Sequence, residues 1–469
     1  MVHARHRVLK GRAHRVDRLR MRLLRRRLVV PAVLGVLAAI PSVAAAAPTV
    51  TEPAATTTKD SSPMGMAAGP DGAVWFTEYA KARIGRIAPD GVTREYPGMS
   101  KTSPRGIVAG PDGNLWFTES GGGTGAIGKI DPSTGMITDY TVGLTSGSPI
   151  DIAVGSDGNL WFTESGGTGA IGKIDPFTGT ITEYRTGLTP NSTPSGITAG
   201  PDDNLWFTEK VSPGRIGRIN PITTVIDEYP GLPAGLPEEI TSGADGNLWF
   251  TASNYIGKVS PVDGTVTPYS TAIGSSPQGI TAGADGNLYF TEKSASKIGR
   301  ITTAGTITEY PTLTSNASPF GIAAGPDGNV WFTENANPGQ LGRITLPPTI
   351  SAVTASGVNT ASAALGASAG PAAQATTVVF EYGTTTAYGT STAPVSAGSG
   401  TTTGPVGASL TGLAASTTYH VRAVATNVTG TTTGPDAAFS TATPPPPPAP
   451  RTPIADPVPA PLDVESIAD

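Results

Sequence analysis

The sequence predicts an all-β protein: a seven-bladed β-propeller of four-stranded blades, followed by a smaller β domain. Three observations point there. A stretch close to Gly-Pro-Asp-Gly-Asn-Leu-Trp-Phe-Thr-Glu returns seven times, beginning at Gly69, Gly110, Gly155, Gly200, Gly243, Gly283 and Gly325, at intervals of 40 to 45 residues. The six tryptophans all fall at one place in this unit (Trp75, Trp116, Trp161, Trp206, Trp249 and Trp331), and Tyr289 fills that place in the remaining copy. Within each unit short β-rich runs alternate with turn residues, and nothing carries helical periodicity.

The second copy shows how a unit divides into strands. Its pieces are Gly106 to Ala109, Leu115 to Thr118, Ile127 to Ile130 and Met136 to Tyr140. Pro111-Asp112-Gly113-Asn114 and Asp131-Pro132-Ser133-Thr134-Gly135 supply tight reversals between them, because Pro presets φ and Gly permits a positive one. One such blade cannot bury both its faces, whereas seven in a ring bury one another.

Ring closure leaves its own trace. Six copies run through to a last strand ending at Tyr96, Tyr140, Tyr184, Tyr229, Tyr269 and Tyr310, but the seventh stops after Leu341-Gly342-Arg343-Ile344 and meets Pro347-Pro348. A matching piece, Val50-Thr51-Glu52-Pro53, lies ahead of the first copy. The N-terminal segment is therefore expected to complete the last blade and to cover an edge of unpaired backbone groups. The alternative is an open or three-stranded final blade.

Four segments follow from composition: an export signal at 1–47, the propeller at 48–346, the second β domain at 347–442 and a proline-rich tail at 443–469. In the first, Arg25-Arg26-Arg27 precedes the apolar run Leu28 to Ile40 and the small residues Ser42 to Ala47, the pattern of a cleaved leader too short to span a membrane comfortably. The arginines leave Sec and twin-arginine export both open. Residues 1–47 carry 11 of the 31 Lys+Arg and one of the 36 Asp+Glu, which leaves 20 against 35 in the remainder, a formal charge of −15. Such a balance argues against nucleic acid and anionic membranes as partners. With no cysteine in the chain, an exported fold has no disulfide and relies on packing.

In the second β domain, Leu410-Thr411-Gly412-Leu413 leads to the alternating run Thr418 to Ala425. This resembles the fibronectin type III domain, in which a Leu followed six residues later by a Tyr makes the corner of the sandwich. Leu413 and Tyr419 would be that pair, and the resemblance implies a spacer or adhesive module. The prolines from Pro444 to Pro461 imply an extended tail.

The propeller unit, with Ser-Pro-x-Gly-Ile ahead of the Trp motif and Ile-Gly-Arg-Ile and Ile-Thr-Glu-Tyr behind it, resembles the virginiamycin B lyase (streptogramin B lyase) family over residues 50–345. The resemblance implies a magnesium-dependent carbon–oxygen lyase that opens a cyclic depsipeptide by elimination. It implies a base histidine in the Pro-His-Gly-Ile lead-in of the last blade, and a glutamate two positions earlier. A second glutamate lies just beyond the Trp-Phe strand, the two holding Mg2+, and a substrate-contacting histidine stands at the matching place in the sixth blade. Here those positions read Phe320, Ser318, Asn335 (with Glu334 adjacent) and Gln278. The histidines of the chain are His3, His6 and His14 in the leader and His420 in the second domain. No imidazole belongs to the ring, which leaves Asp151, Glu238 and Glu239 as the carboxylates near the same rim able to serve as a base if desolvated.

The residues after each lead-in proline are Met64, Arg105, Ile150, Ser195, Glu238, Gln278 and Phe320, different in every blade within an otherwise repeated frame. That pattern suggests a ligand-facing rim for a peptide, glycan or small macrocycle, the alternative being drift at a solvent-exposed loop. A second series, Glu78, Glu119, Glu164, Glu209, Glu292 and Glu334, broken at Ala252, is expected to pair with the third-strand cations Arg86, Lys129, Lys173, Arg218, Lys258, Arg300 and Arg343 or to be solvated, the alternative being that the six carboxylates attract a metal cation. The tryptophans are expected to pack between blades. The chain as a whole reads as a secreted or cell-surface, monomeric ligand-binding or adhesion protein without the family's histidines. The alternative is an active lyase that works through carboxylates.

Overall fold

The computed structural model describes residues 47–450 apart from 53–56, 90, 146, 337–338 and 401, so the expected leader and most of the proline-rich tail lie outside the described residues. Among these, seven four-stranded antiparallel sheets follow one another around a ring, their innermost strands meeting in cyclic order. Blade 1 is Pro63–Ala68, Val74–Glu78, Arg83–Ile87 and Thr93–Tyr96, from the axis outwards. Blades 2 to 6 repeat it.

The seventh blade takes three strands from its own copy, Pro319–Ala324, Val330–Glu334 and Gln340–Thr345, and its fourth, Thr49–Thr51, from the N-terminal segment. The register is antiparallel, Thr49 opposite Thr345 and Thr51 opposite Arg343. The open-blade alternative is thereby excluded, and the ring has no free edge at this seam.

Both faces of each second strand are buried. Leu115, Trp116 and Phe117 have no exposed surface, and Trp75 and Ile84 of blade 1 pack with Ile107, Leu115 and Phe117 of blade 2. Equivalent clusters fill the junctions that follow, and Phe76 of blade 1 closes the circle against Trp331 and Leu341 of blade 7. Glycine in the third strand makes this possible: a Cβ on Gly85 would lie 2.1 Å from the Phe76 ring. The tryptophans are packing residues as expected, and each indole also donates from Nε1 to the Asp of the preceding turn, Trp116 to Asp112 at 3.0 Å. In blades 1 to 5 a tyrosine of the outermost strand stacks on it, Tyr140 on Trp116 at 5.4 Å between ring centres.

The expectation for the glutamate series is corrected. The third-strand cations sit opposite the tryptophans, or Tyr289 in blade 6, at the far end of the strand from the glutamates; six pair instead with the turn aspartates, as in Arg86–Asp71 at 2.6 Å, and Lys173 lies over the Trp161 ring. The glutamates are neither solvated nor bound to those cations, since each is at most 1 % exposed. Strand alternation explains this, because Glu78 lies two residues beyond Phe76 and shares its buried face.

Innermost strands start earlier than the sequence suggests, at the lead-in proline. Pro104 pairs with Glu119 and Ile107 with Phe117, so Arg105 and Gly106 form a bulge between them. All seven blades carry it.

Beyond the ring, a sheet containing Ser362–Gly370 and Gly404–Thr411 faces one built on Thr376–Gly383 and Thr418–Thr426, with Leu365, Phe380, Leu410 and Val421 between them. Leu413 and Tyr419 both enter this core, and the Tyr419 hydroxyl accepts from the Ala414 amide at 3.0 Å. The sandwich meets blade 7 through Ala372, packed with Leu346, and through Gln374, which donates to Asn329.

Candidate functional site

At one mouth of the ring lies a cavity of about 320 Å³. Its walls include all seven lead-in residues, Met64, Arg105, Ile150, Ser195, Glu238, Gln278 and Phe320. Two features of each blade put them there. The bulge lifts two residues out of the ladder and re-aims their side chains. The threonine of the Trp-Phe-Thr-Glu strand then holds the backbone: its Oγ1 accepts from the second bulge residue of its own blade and donates to the rim carbonyl of the next. Thr77 receives from Gly65 at 2.9 Å and gives to Arg105 at 2.7 Å, and Thr291 likewise holds the Phe320 carbonyl at 2.7 Å. The series ends where it began, Thr333 donating to the Met64 carbonyl at 3.2 Å. Seven identical hydroxyl links thus fix seven backbones while leaving the side chains free to differ.

Those side chains divide the wall. Met64 and Phe320 are neighbours across the seam between blades 7 and 1, with the Lys293 ammonium 5.4 Å from the Phe320 ring centre. Arg105 lies over Tyr79 at 5.1 Å and donates to Ser120 at 3.1 Å. Glu238 is taken up by an ion pair with Lys210.

The second bulge residue is glycine in five blades, but Asp151 in blade 3 and Glu239 in blade 5. Glycine prevails because a Cβ at this place strikes the neighbouring strand, 2.1 Å from the Arg105 carbonyl oxygen in the case of Gly65. The two acids lean towards each other past Gly196, whose own Cβ would lie 2.9 Å from a Glu239 oxygen. Asp151 accepts from the Ile197 amide at 2.9 Å, and the two carboxyls share a hydrogen bond. Burial raises both, Glu239 well above the usual carboxylate range with the Asp151 charge adding to it. A pair of this kind holds a proton more tightly than a free carboxyl does.

Of the three carboxylates singled out by sequence, Asp151 and Glu239 therefore come together on the cavity wall, whereas Glu238 is engaged by lysine. The positions where the resemblance implies magnesium ligands do not fit that ion. Ser318 brings no charge, the Asn335 side-chain oxygen is buried without a partner, and Glu334 turns into the interior against Glu52. Nor does a one-residue shift restore Glu334, because Pro319 pairs directly with it. His420 belongs to the sandwich, where it contacts Asp436 at 2.9 Å. Sequence reasoning missed the threonine links and the glycine exceptions, although both are visible as constancy and departure at fixed places in the repeat.

A closed seven-bladed ring with a side-chain-lined cavity at one mouth defines a propeller of the ligand-binding or enzymatic kind. The chain belongs to the virginiamycin B lyase family, whose profile matches residues 45–251 and 228–370. Among solved structures it is similar to a streptogramin B lyase, with 36% identity over 63% of this chain and 97% of that one and a TM-score of 0.58. It is also similar to virginiamycin B lyase from Staphylococcus aureus, at 35% identity, 64% and 99% coverage and a TM-score of 0.57. A catalytically inactive histidine-to-alanine variant of that enzyme with quinupristin matches at 35% identity, 64% and 100% coverage and a TM-score of 0.58. A search of curated proteins finds no match.

Proposed function

We propose that this protein is an exported, monomeric ligand-binding or adhesion propeller whose mouth cavity takes a peptide, a glycan or a small macrocycle, and that it does not carry out the family's histidine-based elimination. The reading rests on Phe320. An aromatic ring, its carbonyl pinned by Thr291, stands where the family pattern calls for the base, and no histidine of the sequence belongs to the ring. A related enzyme is inactive when a single histidine is changed to alanine, and this chain has already replaced both family histidines, with Phe320 and Gln278. Loss of a general base alone costs about 10²–10⁴-fold in rate. We read the sandwich as a spacer of the fibronectin type III kind, a reading supported by the place of Leu413 and Tyr419 in its core and by the Ala414 amide donating to the Tyr419 hydroxyl.

One observation favours a second reading. The Asp151–Glu239 pair places an enclosed carboxyl group on the cavity wall, where a raised pKa suits proton abstraction beside a carbonyl. In that case the chain is a carbon–oxygen lyase without the family's magnesium ligands. Incubation with a streptogramin B such as quinupristin, with and without Mg2+, separates the two. Elimination leaves mass unchanged, so the product is followed by chromatography and fragment ions, and binding by calorimetry. Binding without conversion is expected; turnover abolished in Glu239→Gln would establish the second reading instead.

A further inference from the structure

Each of the six buried glutamates of the second strand faces another acid; Glu292 of blade 6 meets only the charge of Glu309, which Lys297 holds at 2.6 Å. Glu78 meets Glu95, Glu119 meets Asp139, Glu164 meets Glu183, Glu209 meets Glu228 and Glu334 meets Glu52, each within hydrogen-bonding reach. In blades 1 to 4 the partner comes from the outermost strand, opposite the third-strand glycine, as Glu95 is opposite Gly85, and in blade 7 it is Glu52, one residue past Thr49–Thr51. At Glu78, Glu164, Glu209 and Glu334 both carboxyl oxygens are buried, and the donors beside them are few: Ser61, Arg185 at 3.8 Å, Ser192 and Thr314 respectively. Two carboxyls buried side by side favour sharing one proton over ionising together.

The outer acid also grips the chain leading into its blade, the segment that ends in the rim residue. Glu95 accepts from the Thr58 amide at 2.6 Å, Asp139 from Ser100 and Glu183 from Thr145 at 2.8 Å. Glu228 accepts from the amide and hydroxyl of Thr189, and Glu52 from the amides of Leu313 at 2.6 Å and Thr314 at 3.0 Å.

Blade 5 is an internal control. Ala252 replaces the inner glutamate, and Pro268, opposite Gly257, replaces the outer acid. Both halves are lost together. An apolar plug takes their place: Tyr255 packs edge-on against Phe250 at 5.9 Å and beside buried Leu232 of the lead-in segment. Paired absence is what a two-residue unit demands, since either acid alone would be left without its partner.

We propose that the carboxyl pairs of blades 1 to 4 and 7 are proton-shared clamps, through which pH sets how firmly the lead-in segments and the rim residues beyond them are held. Burial first, then the facing acid, raises Glu78 to about 7 and Glu119, Glu164 and Glu334 to about 8, and burial also lifts Glu209 to about 7. Glu95, Glu183 and Glu52 lie below the usual range despite burial, held by hydrogen bonds from Thr58, Thr145 and Thr314 respectively. Within each pair the inner glutamate is thus the proton carrier. Cations face the pairs in four of these blades, namely Arg83, Lys101, Arg185 and Arg215. None of them faces the Glu334 pair among its principal influences, which are Glu52 and Thr314. Because the inner glutamates bind protons more tightly folded than unfolded, while Glu95, Glu183 and Glu52 bind them less tightly, the clamp is complete near the ordinary glutamate value, with the inner acid protonated and the outer one ionised. It weakens as pH rises from the ordinary glutamate value through about 7 to 8.

The proposal holds whatever the cavity binds. Hydrogen exchange of the full chain at about pH 6 and about pH 8.5, corrected for intrinsic rates, tests it. Lead-in segments of blades 1 to 4 and 7 are expected to lose about tenfold or more in protection, the equivalent of one pKa unit, while residues 230–236 of blade 5 keep theirs. Equal loosening in blade 5, or unchanged protection everywhere, overturns it. In Glu119→Gln the blade 2 segment should stay protected at about pH 8.5 while the other four loosen. Loosening there as in the wild type also overturns the proposal, and if that variant does not fold the wild-type comparison with blade 5 decides.

Discussion

The second strand and the bulge beside it lie a few ångströms apart yet obey opposite rules. Phe-Thr closes the core of the second strand in all seven blades, while the first bulge residue is never the same twice. The strand is committed on both faces, with Phe on one side and the blade-linking threonine on the other, so any change is felt across a junction. In the bulge only the backbone is committed, through its carbonyl. The lesson is that a repeated frame can hold seven unlike side chains at one mouth without cost to the ring, and that variability there is permitted by a specific hydrogen bond.

That contrast can be broken at three levels. Deleting residues 48–54 removes the closing strand Thr49–Thr51 and strips blade 7 of its edge; a fall in melting temperature on the order of 10 °C is expected in calorimetry, and an unchanged value would mean the seam is dispensable. Next in size, Trp116→Ala empties a fully buried site between blades 2 and 3 and should lower unfolding free energy by about 3–5 kcal/mol in denaturant titration. The smallest effect belongs to the bulge: Phe320→Ala leaves the Thr291 link intact and should shift stability by less than about 1 kcal/mol. The same variant should weaken any ligand of the cavity by about tenfold or more, for loss of a large apolar contact. A stability loss comparable to that of the tryptophan would show the rim to be part of the frame.

Much of this was legible in the sequence. Seven copies, six with tryptophan in register and one with Tyr289, set blade number and the packing role of Trp116 and its equivalents, and the missing last strand after Ile344 pointed to Val50 and Thr51. The rim residues were found because a regular repeat makes departures conspicuous, and the structure brings all seven to one cavity. The glutamate series was misread because charge suggested solvent, whereas alternation from Phe76 to Glu78 already put both on one buried face. Meeting between Asp151 and Glu239 was not legible: they belong to blades 3 and 5, and only ring curvature past Gly196 brings them together.

The seam has a consequence for the order of assembly. Thr49 finds its partner Thr345 only after the whole ring between them has been made, so during synthesis blade 7 and the chain's leading strand both wait as open edges. The toroid can latch only when its final blade arrives, which makes synthesis of Gln340–Thr345 the event that covers Thr49–Thr51.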